Sequence, residues 1–246
     1  MQEIDKLHNI ITQSQNIVFL TGAGASTPSG ITDFETIYSQ KFMGFDTIDI
    51  MTGGFIQKHP DVFLQFVKKY FAGKASPNVF HTYISSLQQH KTVTVITQNI
   101  DNLHQEAGSK KVIELHGTFQ KWRCTSCGHT FTFDEVLDGD SLLCPIDFGI
   151  IRPDAVFYNE NIPTLKILDA QARLRNADTL VVVGTSLQTQ LPVYLISQFE
   201  GKNLVVINKN HVQLDKPITL EINQDIAKVF TELERLSSEH QNSINK

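Results

Sequence analysis

The stretch that decides the fold runs from Val18 to Glu35 and reads VFLTGAGASTPSGITDFE. An apolar run stops at a glycine turn, passes through small residues, and ends in an acid, an aromatic and a second acid. A short unbroken apolar run bounded by a turn predicts a strand buried on both faces. Glycine directly after such a strand lets the backbone approach a pyrophosphate and present N–H groups to it. The full GxGxxG fingerprint is missing, because Thr27 stands where its third glycine would be. An ordinary hydride-transferring dehydrogenase therefore fits poorly.

Four further stretches read as strands: KTVTVITQN at 91–99, KVIELHG at 111–117, TLVVVGTSL at 179–187 and NLVVINKN at 203–210. Helical spacing covers 2–14, 61–72, 79–89, 163–178, 192–200 and 225–236, and a short helix after Asn99 is closed by Gly108. The polar tail after 236 is expected to fray. Strands alternating with helices predict an α/β fold with a doubly wound, parallel, Rossmann-like sheet. Such sheets bind ligands outside the carboxyl ends of their strands. Polar or small residues follow Leu20, Ile96, Leu115, Val183 and Ile207, which points to one crevice. The expected division is a Rossmann-like lobe of 1–31, 81–118 and 158–246. A helical insertion at 32–80 and a cysteine-knuckle insertion at 119–157 form a smaller lobe.

The chain has 246 residues, is 41% hydrophobic and carries a net charge of −5. That charge argues against a nucleic-acid binder, which needs a basic patch. It suits a basic protein partner. No stretch approaches the roughly 20 apolar residues that span a bilayer, and the N-terminus has no secretory pattern. The expectation is a soluble, cytoplasmic protein with no membrane partner. Three cysteines are too few for a disulfide framework. Cys124 and Cys127 form a CxxC, and Cys144 with Asp147 repeats the spacing with a carboxylate in the last place. Four deprotonated ligands in two knuckles suit a structural zinc ion, with His129 as a substitute ligand.

Other residues carry chemistry at the predicted strand ends. Asn99 and Asp101 stand at a strand-to-helix junction, where capping is the plain alternative. His116 stands beside Gly117 at a strand end, where an imidazole is placed for general-base work. Gly184, Thr185, Ser186 and Asn208 end two buried strands with groups suited to ribose hydroxyls.

Taken together, these motifs resemble the sirtuin family of NAD-dependent protein deacylases, of bacterial type. The likeness lies in Gly22–Ser26 with Ser29–Phe34, Thr97–Asp101, His116-Gly117, the cysteine knuckles, Ile151–Asp154, Gly184–Leu187 and Ile207-Asn208. It spans about 16 to 230. The resemblance implies NAD held by Gly22, Ala23, Gly24, Ala25, Ser26, Ile31, Asp33, Phe34, Gln98, Asn99, Ile100, Asp101, Gly184, Thr185, Ser186 and Asn208. It implies catalysis by His116 and Asn99, with His116 as base for a ribose hydroxyl. An acyl-lysine peptide would add as a strand at Val156, Phe157, Tyr158 and Asn159. The products would be nicotinamide, free lysine and O-acyl-ADP-ribose.

Four positions depart from that pattern. Thr32 stands for a usual proline, Glu35 for a usual arginine, Asn159 for a usual glycine, and Asp147 for a cysteine. Two alternatives stay open: a protein mono-ADP-ribosyltransferase, and an NAD-binding module without efficient turnover.

Overall fold

The computed structural model describes residues 2–31, 36–37, 40–73 and 75–244, with side chains to 239. Thr32, Asp33, Phe34 and Glu35 lie outside the described residues. The chain opens with helix α1 (Gln2–Gln13) and strand β1 (Asn16–Thr21), followed by two short 3-10 turns at Ala23–Ala25 and Thr27–Ser29. A small hairpin, β2 (Lys41–Phe42) and β3 (Phe45–Asp46), leads into α2 (Thr47–Ile50), α3 (Gly53–Lys58) and α4 (Pro60–Tyr70). Helix α5 (Val79–Leu87) then returns to the large sheet through β4 (Thr92–Thr97), α6 (Leu103–Glu106) and β5 (Val112–Glu114).

A second excursion contains β6 (Gly117–Cys124), β7 (Thr130–Thr132), α7 (Phe133–Asp138) and β8 (Ile151–Ala155). The chain ends with α8 (Thr164–Asn176), β9 (Thr179–Val183), α9 (Gln190–Ser197), β10 (Asn203–Asn208), β11 (Leu220–Asn223) and α10 (Ile226–Ile244).

Six strands form one sheet in the order β11-β10-β9-β1-β4-β5, all parallel. In chain order this is 3-2-1-4-5-6, the doubly wound arrangement, and its switch point lies between β1 and β9. Successive side chains of a strand face opposite sides, and the packing obeys this. Ile17, Phe19, Val181 and Val183 pack on α1, α5 and α10, through Leu7, Phe80 and Phe230. Val18, Leu20, Leu180 and Val182 pack on α8 and α9, through Leu174 and Leu195. Both faces are covered, which is why these strands are apolar without alternation. A separate core gathers Phe63, Phe66, Phe119, Trp122 and Phe157, joining α4 to the antiparallel sheet β7-β6-β8.

Three sequence expectations are corrected. The tail does not fray at 237: α10 continues to Ile244. The run at 111–117 leaves the sheet after Glu114, and Gly117 begins β6 instead. That turn needs glycine, since Gly117 has φ +74 and a Cβ there would lie 2.0 Å from the Asp154 carbonyl oxygen. Strand β11 went unpredicted; its four residues LEIN are too short to stand out. No helix among the described residues is long and apolar enough to cross a membrane.

Between α5 and α6, two histidines are buried together, with His81 0% and His104 1% exposed. Their rings meet edge to face at 4.7 Å. His81 Nε2 and His104 Nδ1 find no hydrogen-bond partner among the described residues. Burial lowers the pKa of His81 to about 4 and, with the neighbouring His81, that of His104 to about 3. Unfolded histidine titrates near 6.5. Between about pH 6.5 and 4 the unfolded chain therefore binds more protons here, and stability falls as pH falls. Asp101 and Glu114, raised by burial, act in the opposite sense. Denaturant unfolding at pH 7.5 and 5.0 is expected to show a loss near 2 kcal/mol per histidine, order of magnitude. His104→Leu should flatten the dependence; an unchanged slope would refute the assignment.

Candidate active site

The site is built where β1 and β9 end side by side. The Gly22 N–H donates to the Val183 carbonyl at 3.1 Å, and the Gly24 N–H donates to the Gly184 carbonyl at 2.8 Å. Gly184 has φ +63, and a Cβ on it would sit 2.2 Å from the Ala25 nitrogen. A Cβ on Gly24 would meet the Gly184 Cα at 2.9 Å. Two backbones thus touch with no room for side chains between them. Ala25 N–H and Ser26 N–H close 3-10 bonds on the Gly22 and Ala23 carbonyls, each at 3.0 Å. The nest of free amides expected from the glycine pattern is not what these glycines build: the amides of Gly22, Gly24, Ala25 and Ser26 are committed to the turn's own shape.

That turn receives the end of β4. Asn99, 5% exposed, donates from Nδ2 to the Gly22 carbonyl at 3.0 Å and to Ser26 Oγ at 3.1 Å. Ser26 Oγ in turn donates to Asp101 Oδ2 at 2.6 Å. Asp101 Oδ1 accepts the Leu103 N–H, the first amide of α6, at 3.0 Å, while the N-cap position itself is Asn102. The acid thus serves the helix end locally, from the residue before its N-cap. Yet the same carboxylate also belongs to a polarised relay from Asn99 through Ser26. Burial pushes the Asp101 pKa up, against the pull of the Ser26 hydroxyl and the Leu103 N–H. Gln98 spans the switch point, donating from Nε2 to Thr185 Oγ1 at 3.4 Å. Asn208, at the end of β10, donates to the Thr185 carbonyl at 3.3 Å, while Ser186 is exposed. Ile100 is buried, and Ala23 and Ile31 are half-buried.

His116 is oriented by the same segment. Its Nδ1 lies 2.8 Å from the Gln98 carbonyl oxygen. A carbonyl only accepts, so Nδ1 carries the proton and neutral His116 keeps its lone pair on Nε2. Burial lowers its pKa, against the Gln98 bond, with the Lys166 charge adding to the lowering. The His116 carbonyl accepts the Val156 N–H at 2.8 Å, tying β5's end to the segment after β8.

Of that segment, Phe157 is buried, Val156 is half-buried, and Tyr158 and Asn159 are exposed. Tyr158 bridges Thr52 in parallel, and its N–H donates to the Met51 carbonyl at 3.0 Å. Asn159 has φ +66. Asparagine tolerates this left-handed conformation better than most residues, which explains how it replaces glycine here.

Cys124, Cys127, Cys144 and Asp147 bring four ligand atoms within 4.8 Å of one another. Cys127 Sγ and Cys144 Sγ are 3.7 Å apart. Two sulfurs on one tetrahedral zinc at about 2.3 Å would be separated by about that distance. Asp147 Oδ1 accepts from the Gly149 N–H at 3.0 Å and stands 3.2 Å from Cys124 Sγ. His129 is not in the group; its ring packs on Phe131 at 4.9 Å.

Sequence reasoning missed two supports. Asn78 caps α5 and donates from Nδ2 to the Ala25 carbonyl at 3.0 Å and to Ser29 Oγ at 2.9 Å. The Asn-x-x-His capping pattern at 78–81 was a local signal for it. Glu160 holds Arg152 through paired hydrogen bonds. No local pattern announces that pair.

The Sir2 family model matches residues 22–191. An NAD-dependent protein deacetylase of Staphylococcus aureus (strain Mu50 / ATCC 700699) is 36% identical over 241 residues, covering 94% of this chain and 98% of that protein. One from Listeria monocytogenes serotype 4b (strain F2365) is 36% identical over 234 residues, covering 94% of this chain and 100% of that protein. A solved Sir2 structure with p53 peptide and NAD+ superposes with a TM-score of 0.83 at 33% identity, covering 96% of this chain and 98% of that one. A Sir2 structure with the inhibitor EX-527, 2'-O-acetyl-ADP-ribose and deacetylated p53 peptide gives 0.80 at 33%, covering 96% and 99%.

Proposed function

The chain belongs to the Sir2 family and is an NAD-dependent protein deacetylase, and from that premise we propose which residues carry the reaction. NAD is assigned to the crevice at the switch point, against the 22–26 turn, Ile31, Gln98–Asp101, Gly184–Ser186 and Asn208. Asp33 and Phe34 belong to the same assignment and lie outside the described residues. The fit rests on geometry: the Asp101 carboxylate stands at the end of β4 against the 22–26 turn, held there by Ser26 and the Leu103 N–H. NAD supplies an electrophilic anomeric carbon and nicotinamide as its leaving group. Asp101 accepts an amide N–H on the lone pairs that Ser26 and Leu103 leave over. Asn99 holds the turn and Ser26 in register for it.

The single observation that carries the catalytic reading is the His116 Nδ1 contact to the Gln98 carbonyl. It points the basic Nε2 lone pair outward from that bond, ready to take a proton from a hydroxyl. Burial keeps the ring neutral at pH 7. The protein forms no covalent bond in this scheme; its work is positioning and charge stabilisation. An acyl-lysine peptide lies along Val156–Asn159, between a Rossmann-like lobe of 1–31, 81–118 and 158–246 and a smaller lobe of 32–80 and 119–157.

Zinc is assigned to Cys124, Cys127, Cys144 and Asp147. Three thiolates and a carboxylate at this spacing fit the ion's donor preference. With four protein ligands the site is structural and keeps no position for substrate. Metal analysis of the purified protein should find about one zinc per chain, lost in Cys144→Ser; absence of zinc would refute the assignment. A cytoplasmic location belongs to the same proposal, supported by cysteines gathered as metal ligands and not paired in disulfides.

Incubation with NAD and an acetyl-lysine peptide, followed by mass spectrometry, tests the catalytic roles. Wild type should yield deacetylated peptide and acetyl-ADP-ribose, and His116→Ala should lower turnover by roughly 10²–10⁴-fold. Because His116's pKa lies below 6.5, wild-type kcat/KM should fall only on the acid side of that value. A peptide that gains ADP-ribose would favour the transferase. NAD binding without nicotinamide release would favour the non-catalytic module.

A further inference from the structure

Arg152 and Glu160 meet as a two-pronged pair, Nη1 to Oε1 and Nη2 to Oε2, each at 2.8 Å. Their side chains are 23% and 29% exposed. Arg152 Nη2 also donates to the Ala155 carbonyl at 3.1 Å, and its guanidinium lies over the Phe157 ring, 4.9 Å from the centroid. Glu160 Oε2 accepts the Phe157 N–H at 3.0 Å. The Glu160 N–H closes a turn on the Phe157 carbonyl at 3.1 Å, with Asn159 left-handed inside it. On the other side Gly53 leaves room for this pair, since a Cβ there would come within 2.1 Å of Glu160 Oε1.

These contacts converge on one short segment. The amides of Val156, Phe157 and Tyr158 are committed to the His116 carbonyl, the Glu160 carboxylate and the Met51 carbonyl. An incoming strand must pair with what the turn leaves facing outward, and the turn is set by Glu160. Glu160 in turn is set by the guanidinium fork, whose planar geometry matches a carboxylate in a way lysine cannot.

We propose that Arg152 and Glu160 are positioning residues that preset the 156–159 turn for the acyl-lysine peptide. They govern peptide affinity and leave the chemistry at NAD unaffected. A binding edge held in its bound shape loses less conformational freedom when the peptide arrives. The proposal rests on 156–159 being the peptide edge. It adds to that reading the pair that shapes the edge. A brace that served stability alone would behave differently, shifting peptide and NAD together with the melting temperature.

Steady-state kinetics with an acetyl-lysine peptide and NAD would be compared for wild type, Glu160→Gln and Arg152→Lys. A fluorescein-labelled acetyl-lysine peptide followed by anisotropy gives affinity without turnover. Glu160→Gln keeps the shape and loses the charge; Arg152→Lys keeps the charge and loses the fork. Each should raise the peptide KM and Kd by roughly tenfold, with the NAD KM within about twofold and kcat within about threefold. Arg152→Lys should be the milder of the two. Unchanged peptide affinity in both variants would overturn the proposal. So would an equal rise in the NAD KM. Wild type that neither binds nor turns over the peptide would overturn the peptide-edge assignment itself, a result distinct from either.

Discussion

The turn leaving β1 touches the turn leaving β9 backbone to backbone, and the rest of the site follows from that contact. The Gly24 N–H to Gly184 carbonyl bond at 2.8 Å is possible only where neither residue carries a Cβ. It closes the switch point at the carboxyl ends of β1 and β9. It also fixes the 3-10 turn that carries Ser26, which is 1% exposed. Once Ser26 is fixed, Asn99 has a carbonyl and a hydroxyl to hold, and Asp101 has a hydroxyl to accept. The order is therefore strand, close approach, turn, relay. Three strand ends, those of β1, β4 and β9, are locked together before any ligand arrives.

Preorganisation of this kind uses up polar groups. Amides that could have met phosphate oxygens instead hold the turn, and the Asn99 amide holds it from the other side. What remains for chemistry is a small set of groups with perturbed protonation. Asp101 is buried and partly compensated by two donors. His116 is buried with its tautomer chosen by one carbonyl. Both titratable groups are positioned by the same four-residue segment from Gln98 to Asp101, which gathers them in one compact cluster.

Much of this was legible in the sequence because burial on both faces leaves an unmistakable mark. VFL at 18–20 and LVVV at 180–183 have no alternation, VTVI at 93–96 is broken only by Thr94, which is itself buried, and each lies in the central sheet. The polar residues at their ends then located the crevice. Strand β11 left no such mark: Glu221 and Asn223 interrupt it, and it pairs only at the sheet's edge. The tail helix was underestimated because its polar residues continue a helix whose apolar face, through Phe230 and Leu233, is already packed. At the site, the glycine pattern gave no hint that Gly24 and Gly184 also make room for each other. The Arg152–Glu160 pair was illegible because its partners meet only through a turn whose shape depends on φ at Asn159. The departures at Thr32 and Glu35 lie outside the described residues.

The central claim is that the Asn99–Ser26–Asp101 relay presets the NAD site. Calorimetric titration of NAD into Ser26→Ala tests it most directly, because the variant removes one oxygen at a position locked by backbone contacts. The account predicts a loss of roughly tenfold or more in NAD affinity, the scale of one charge-assisted hydrogen bond, with a melting temperature close to wild type. NAD affinity equal to wild type in a well-folded Ser26→Ala protein would contradict it.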